Sequence, residues 1–394
     1  MAGAVLQWIL ALVPGILLLW FAAEIFAGLK SLPRGAAYSD RSAFDHTILI
    51  PAHDEAAVIA DTVEALRIAA PSARILVVAD NCTDDTAARA REAGAQCVER
   101  DDSARRGKGY ALAFGRDHLA DAPPHAVIVL DADCRITTGG PAELAAIARR
   151  TAGPVQAGNL LVARPDAPAN VAISNFAMMV KNIFRARGLQ RIGHGGLLFG
   201  TGMAFPWAKF RTLDLATGDA TEDLALGLEL VRGGVRVTLA DHVTVTSPAA
   251  SQKDSVGQRS RWEHGFLRNA GRVALPLLVA SIRRPSRMGV AVGLHMMVPP
   301  LALLVATGLV CVAATAALGL TTGGFAPAIM LVACYVIAMA AVLAAWFAGG
   351  RAVLPGARLL AIPGYVLWKL PIYAAFFKRR QNAWDRENRQ RRGD

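Results

Sequence analysis

Residues Ala2 to Ala23 are almost wholly apolar, interrupted only by Gln7. In hydrocarbon every backbone N–H and C=O must be satisfied within the segment, so a run of this kind has one solution, a helix. Its length matches a bilayer core of roughly 30 Å. A cleaved signal peptide is the rival reading and would want Lys or Arg ahead of the apolar run, but Met1 to Gln7 has neither. The first basic residues come afterwards, at Lys30, Arg34 and Arg41. By the positive-inside rule the N-terminus then faces out and the next segment faces the cytoplasm. The chain is 54% hydrophobic, too apolar for an ordinary soluble protein of 394 residues, and leaves room for one soluble domain beside several spans.

Two further spans are expected at about Met288 to Leu318 and Phe325 to Ala348. The uncharged Thr321 to Gly324 suits an outer turn, and Arg351 and Arg358 suit an inner loop. Leu359 to Phe377 holds Pro363, Gly364, Lys369 and Pro371, which favours an interfacial or re-entrant helix over a crossing one. Val273 to Ile282 is too short to span and reads as a surface helix. Of the net charge of +11, the tail Lys378 to Asp394 supplies seven basic residues against three acids. A basic tail behind an apolar run suits anionic lipid, and no nucleic-acid recognition module accompanies it. The domains expected are therefore a span over 1–29, a cytoplasmic domain over 30–264, an interfacial helix over 265–287, two spans over 288–348, and a re-entrant helix with its tail over 349–394. Cys82, Cys97, Cys134, Cys311 and Cys334 form no C-x-x-C pair, as expected of structural thiols in a reduced compartment.

Between the spans the pattern changes. Thr47 to Ile50, Arg74 to Ala79 and Ala126 to Leu130 are short apolar runs separated by the helical stretches Ala56 to Ala69 and Asp84 to Gly94. Unbroken apolar strands alternating with helices predict an α/β domain with a parallel sheet covered on both faces. Ligands in such sheets bind beyond the carboxyl ends of the strands. Polar residues stand there: His53, Asp54 and Glu55 after the first strand, Asp80 and Asn81 after the second, Asp131 and Asp133 after the third.

Asp131-Ala132-Asp133 can hold a hard divalent cation, Mg²⁺ or Mn²⁺, which neutralises a departing diphosphate; a solvated loop is the competing reading. Asp80 can accept hydrogen bonds from a base or ribose, or serve as a turn residue beside Asn81 and Thr83. Arg105-Arg106-Gly107-Lys108-Gly109 is a basic glycine-rich loop that lets Lys108 approach phosphates, although it lacks the Walker A spacing. Thr221-Glu222-Asp223 can start a helix with Thr221 as N-cap, and can also offer a general base to an attacking hydroxyl. Gln258-Arg259-Ser260-Arg261-Trp262 sets two cations beside an indole, suited to a diphosphate and a sugar ring or to lipid headgroups.

In this order, the motifs resemble a family 2 glycosyltransferase of the GT-A fold, in its membrane-bound branch, over about His46 to Trp262. The resemblance implies a Rossmann-like α/β cytoplasmic domain plus transmembrane helices, and donor contacts from Pro51, Ala52, His53, Glu55, Asp80, Lys108, Asp131, Ala132, Asp133, Arg259 and Arg261. The family more often has an aromatic and Asn where this chain has His53 and Asp54. Asp80 matches its uridine-contacting aspartate, so a UDP-sugar is the expected donor. Asp131 and Asp133 match the metal motif, and Asp223 the catalytic base of an inverting transfer. Gly200, Thr201, Gly202, Glu222, Gln258 and Trp262 would line the acceptor side. The Q-x-x-R-W pattern is similar to that of cellulose, chitin and hyaluronan synthases and ceramide glucosyltransferases.

About three spans are too few to enclose a polymer channel in a single copy, which favours a lipid or lipid-linked acceptor at the cytoplasmic face of a bacterial-type inner membrane. A chain-extending synthase of short or long glycans stays open, as does a non-catalytic scaffold of a polysaccharide assembly. The partners expected are a nucleotide-sugar, a lipid or glycan acceptor and membrane lipids, with self-association left open.

Overall fold

The computed structural model describes residues 2–34, 45–164, 167–219, 221–249 and 262–378. Gln258, Arg259, Arg261 and the tail 379–394 lie outside them. The described chain forms two compact units, one from 31–162 and 195–266, the other from 2–30, 163–194 and 267–378.

The first unit is an α/β domain around one eight-stranded sheet. Its strands are β1 (His46–Ala52), β2 (Arg74–Asp80), β3 (Gln96–Arg100), β4 (Ala126–Val129), β5 (Arg135–Ile136), β6 (Val155–Val162), β7 (Met203–Pro206) and β8 (Thr238–Pro248). The spatial order is β3-β2-β1-β4-β7-β6-β8-β5. β3, β2, β1 and β4 run parallel, so their carboxyl ends share one edge. The all-parallel expectation fails beyond β4. β7 is antiparallel to β4 and to β6, β8 is parallel to β6, and β5 is antiparallel to β8. β6 and β8 mix polar and apolar residues, so they lack the unbroken apolar signature that marks β1, β2 and β4. Side chains alternate across the sheet and feed a separate core on each face. Ile48, Ile50, Val77 and Ile128 join one; Leu49, Leu76, Val78, Val127 and Val129 join the other.

The second unit is helical. Ala2–Gly28 packs with Ala326–Ala348 and Leu301–Thr322, and these three are long and apolar enough to cross a membrane. Gln7, the one polar residue in the Ala2–Ala23 stretch of the first, is buried and donates to Thr315 O and Gly324 O, each at 2.8 Å. Two corrections to the expected boundaries arise here. Residues 163–194 leave the 30–264 stretch and join this unit as helices Ala169–Met179 and Ala186–Gly193, joined by a π-helical turn Val180–Arg185. The apolar run from Met288 is also not one span. Val298 has extended backbone and Pro299-Pro300 separates Arg287–Met297 from Leu301–Thr322, because proline can neither continue the hydrogen-bond ladder nor tolerate a helical residue before it. The last described helix is Ile362–Lys378.

Close backbone approach holds the first helix to the inserted one. A Cβ on Gly188 would lie 1.9 Å from Glu24 O, and one on Gly28 would lie 1.8 Å from Phe184 O. Glu24 is fully buried and is bonded by Arg185 Nε at 2.6 Å, His295 Nδ1 at 2.7 Å and Trp20 Nε1 at 3.0 Å. A buried carboxylate in an apolar helix is tolerable only when paired in this way.

Candidate active site

β1, β2 and β4 deliver their polar termini to one edge. Asp80 closes β2 opposite Arg100, which closes β3. Arg100 Nη1 donates to Asp80 Oδ1 at 2.6 Å and Nη2 to Asp102 Oδ2 at 3.0 Å, with its guanidinium 5.5 Å from the Tyr110 ring centre. Asn81 Nδ2 also donates to Asp80 Oδ1, at 3.0 Å. Asp80 is only 4% exposed, and both bonds fall on the same oxygen, so its carboxylate is held in one orientation.

Lys108 is the centre of the second group. It opens the helix Lys108–Leu119, behind Gly107 at φ 135°. Gly109 can only be glycine, since a Cβ there would lie 2.3 Å from Leu215 O and 2.6 Å from Thr217 O. This close packing aims Lys108 inward, while Arg105 and Arg106 are exposed. Lys108 Nζ donates to Asp131 Oδ1 at 2.5 Å and Gly200 O at 2.6 Å, and lies 3.9 Å from Glu222 Oε1. Burial alone would favour the neutral amine, but the charges of Asp131, Glu222 and Asp223 win and hold it protonated. Burial raises the Glu222 carboxyl to about 7 against the pull of Lys108, with Asp223 and Asp131 pushing the same way as burial.

The loop before β7 completes the group. Gly202 N donates to Val129 O at 2.9 Å, and Asp131 N to Thr201 Oγ1 at 3.1 Å. Gln156 braces the loop from β6, donating to Thr201 O and accepting from Phe199 N, both at 2.8 Å. Gly200 and Gly202 have φ of 84° and 67°, the left-handed region that glycine enters freely. A Cβ on Gly200 would lie 3.2 Å from Asp223 Oδ2, which places the Asp223 carboxylate directly against this loop. The helix Glu222–Arg232 carries Glu222 and Asp223 in its first turn behind Thr221. Trp262 is half-buried at the start of a helical stretch over 262–269. That stretch touches the same corner, since a Cβ on Gly265 would lie 2.2 Å from Thr221 Cγ2.

The donor set at Asp131 and Asp133 suits a hard divalent cation: two carboxylates, the first 39% exposed, with the one described side-chain bond of Asp131 falling on Oδ1. The remaining sequence candidates are placed as follows. His53 Nδ1 donates to Asp80 O at 2.7 Å. Glu55 is buried, its N donating to Thr86 Oγ1 at 2.8 Å. Pro51 is half-buried at the end of β1 and Ala52 is buried. Ala132 is in the core, with its carbonyl accepting from Thr62 Oγ1 at 2.7 Å. Sequence reasoning missed Arg100 and Gln156. The register of β3 against β2 would have found the first; Gln156 carried no signal in the sequence because it acts on backbone groups far away in the chain.

The sequence model described as "Glycosyltransferase like family 2" matches residues 45–265, more than half of the chain. The chain belongs to this glycosyltransferase family. No curated protein sequence matches it. Among solved structures it is similar to a mannosyltransferase from Pyrobaculum calidifontis in complex with GDP-Man and Mn²⁺, with 18% identity and a TM-score of 0.54 over 94% of this chain and 99% of that one. A second neighbour is glucosyl-3-phosphoglycerate synthase from Mycobacterium tuberculosis, in complex with Mn²⁺, UDP and glucosyl-3-phosphoglycerate, with 16% identity and a TM-score of 0.40 over 62% of this chain and 86% of that one. The first likeness, spanning nearly both chains, agrees with a GT-A fold carrying apolar helices.

Proposed function

We propose that the chain transfers a sugar from a nucleoside diphosphate sugar to a lipid or lipid-linked acceptor at a membrane, with inversion at the anomeric carbon. The observation that carries this reading is the Lys108 cluster. One ammonium group joins the end of β4, the glycine loop before β7 and the helix bearing Glu222 and Asp223. That is where a diphosphate, a transferred sugar and an attacking hydroxyl must meet.

Asp80, fixed by Arg100 and Asn81, receives the N–H groups of the nucleobase, with uracil favoured by the family resemblance. Lys108 balances the diphosphate charge as the sugar departs. Asp131 and Asp133 would hold Mg²⁺ or Mn²⁺, which supplies charge stabilisation to the leaving diphosphate, on the order of several kcal/mol. Asp223 accepts the proton of the acceptor hydroxyl as it attacks, worth roughly 10²–10⁴-fold. Arg259, Arg261, Gln258 and Trp262 are assigned to the diphosphate and acceptor by the family pattern alone. The three apolar helices support a membrane-held enzyme and hence an interfacial acceptor. We assign catalysis to 31–162 with 195–266 in place of the single stretch 30–264, a reading supported by the compactness of that unit.

The test is a screen of radiolabelled UDP- and GDP-sugars with purified protein, Mg²⁺ or Mn²⁺, and membrane lipid extract. Label moving into the lipid phase is the expected result, and Asp223→Asn should abolish it while leaving nucleotide binding near the wild-type level. Long polymer as product would end the single-transfer reading. Undiminished transfer by Asp223→Asn would remove that residue from its role.

A further inference from the structure

Three chemically different donors meet beside the donor edge; the family resemblance gives only His53 a donor contact, and none of the three takes part in the bond-making step proposed above. His53, Asp54 and Cys82 bring an imidazole nitrogen, a carboxylate oxygen and a sulfur within 4.8 Å of one another. His53 and Asp54 follow β1, and Cys82 follows β2, so three loop residues from neighbouring strand ends converge on one point. We propose that these residues form a binding site for a borderline-soft divalent metal of the Zn²⁺ class, separate from the hard-cation pair Asp131 and Asp133.

The donor set argues the metal. Imidazole with thiolate selects zinc-like ions, whereas Mg²⁺ and Mn²⁺ prefer an all-oxygen shell. The separations argue the geometry. Ligands at about 2.0–2.3 Å in a tetrahedron stand roughly 3.3–3.8 Å apart. His53 Nε2 is 3.8 Å from Asp54 Oδ2, at the upper end of that range. The supporting contacts argue the orientation. His53 Nδ1 is 2.7 Å from Asp80 O, a carbonyl that can only accept. That contact makes Nδ1 the donor, and the metal would take the lone pair at Nε2, the arrangement that orients metal-bound imidazoles in general. Asp54 Oδ1 accepts from Thr83 N at 2.7 Å, which holds that carboxylate as a ligand needs to be held. Burial pushes the Cys82 thiol up to about 11, so metal uptake displaces its proton to solvent while His53 and Asp54 contribute lone pairs. A water completes the shell. The metal would clip the β1 and β2 termini together next to Asp80, on the nucleobase side of the donor edge.

Cobalt substitution reads this directly and independently of glycosyl transfer. Detergent-purified full-length protein is titrated with Co²⁺ alone. The expected result is a near-ultraviolet thiolate-to-cobalt band saturating at one equivalent, abolished by Zn²⁺, retained in Asp131→Ala and lost in Cys82→Ser. Should Cys82→Ser fail to fold, protection of Cys82 from maleimide by Zn²⁺, mapped by mass spectrometry on the wild-type protein, gives the same answer. No thiolate band, a band that persists in Cys82→Ser, or maleimide labelling indifferent to Zn²⁺ would overturn the proposal.

Discussion

Lys108→Met separates a structural lysine from a functional one, because the two roles predict losses of different size. The ammonium lies 2.5 Å from Asp131 Oδ1 and 3.9 Å from Glu222 Oε1. At an effective dielectric near 20, the first contact alone corresponds to about 7 kcal/mol of gross attraction. Most of this is cancelled by desolvation, and Asp131 is 39% exposed, so water screens the pair. The net stability loss should be about 1–2 kcal/mol, a fall in Tm of roughly 2–8 °C for a domain of this size. The catalytic loss should be larger. Removing one pre-oriented group aimed at developing charge typically costs about 10²–10³ in kcat, or roughly 3–4 kcal/mol. Met retains the length and apolar stem, so the helix Lys108–Leu119 should remain seated. Lys108→Arg restores charge but not the compact contact with Gly200 O, and should recover no more than about tenfold. Thermal unfolding in detergent and initial rates at saturating donor measure both quantities on the same sample. A variant with the expected Tm shift but a kcat within threefold of wild type would refute the reasoning, because Lys108 would then only hold the loop.

Three further outcomes follow from the geometry. Gly200→Ala should cost roughly 1–2 kcal/mol in backbone strain and lower kcat by displacing Asp223, whereas Gly202→Ala should chiefly unfold, since its Cβ would lie 2.7 Å from Val245 Cγ2 and 2.9 Å from Ala157 Cβ; equal Tm losses without a kcat difference would contradict this. Glu222, raised from 4.5 to about 7 by burial, keeps its proton longer when folded, so its contribution to stability is complete below about pH 4.5 and is lost as pH rises through 7. Denaturant titrations of Glu222→Gln should therefore show a shallower decline over that window than wild type. Gly188→Ala drives a methyl into the Glu24 carbonyl, backbone against backbone, and should abolish recovery of folded protein, while Gly364→Ala, with open space around it, should be neutral by size-exclusion profile and Tm.

The half of the site that the sequence displayed is the half built from parallel strands. β1, β2 and β4 are buried on both faces and read as unbroken apolar runs ended by Pro51, Asp80 and Asp131, so fold class and the acidic edge were both visible. Asp223 was visible because Thr221 and two acids mark a helix start. What stayed hidden depends on contacts remote in sequence. Arg100 acquires its role only through the register that sets it against Asp80. Lys108 stands in a glycine-rich run that reads as a loop in sequence, yet it begins a helix whose seating is decided by Leu215 and Thr217 carbonyls about a hundred residues away. The insertion of 163–194 into the helical unit was equally hidden, since Ala169–Met179 is apolar enough for either core.

The change of strand direction at β7 explains why the chemistry gathers where it does. A purely parallel sheet would send every connection after β4 around a crossover helix and leave the edge beyond Asp131 open. Here β7 instead runs back against β4, so residues entering β7 arrive at the same edge that residues leaving β4 depart from. Gly200, Thr201 and Gly202 are those entering residues, and Gly202 N bonding to Val129 O fixes their depth. Only a loop without side chains at Gly200 lets a backbone carbonyl reach Lys108 while Asp223 approaches from the other side. The antiparallel strand thus converts a row of strand-end carboxylates into an enclosed cluster, and the two positive-φ glycines are the residues that permit it.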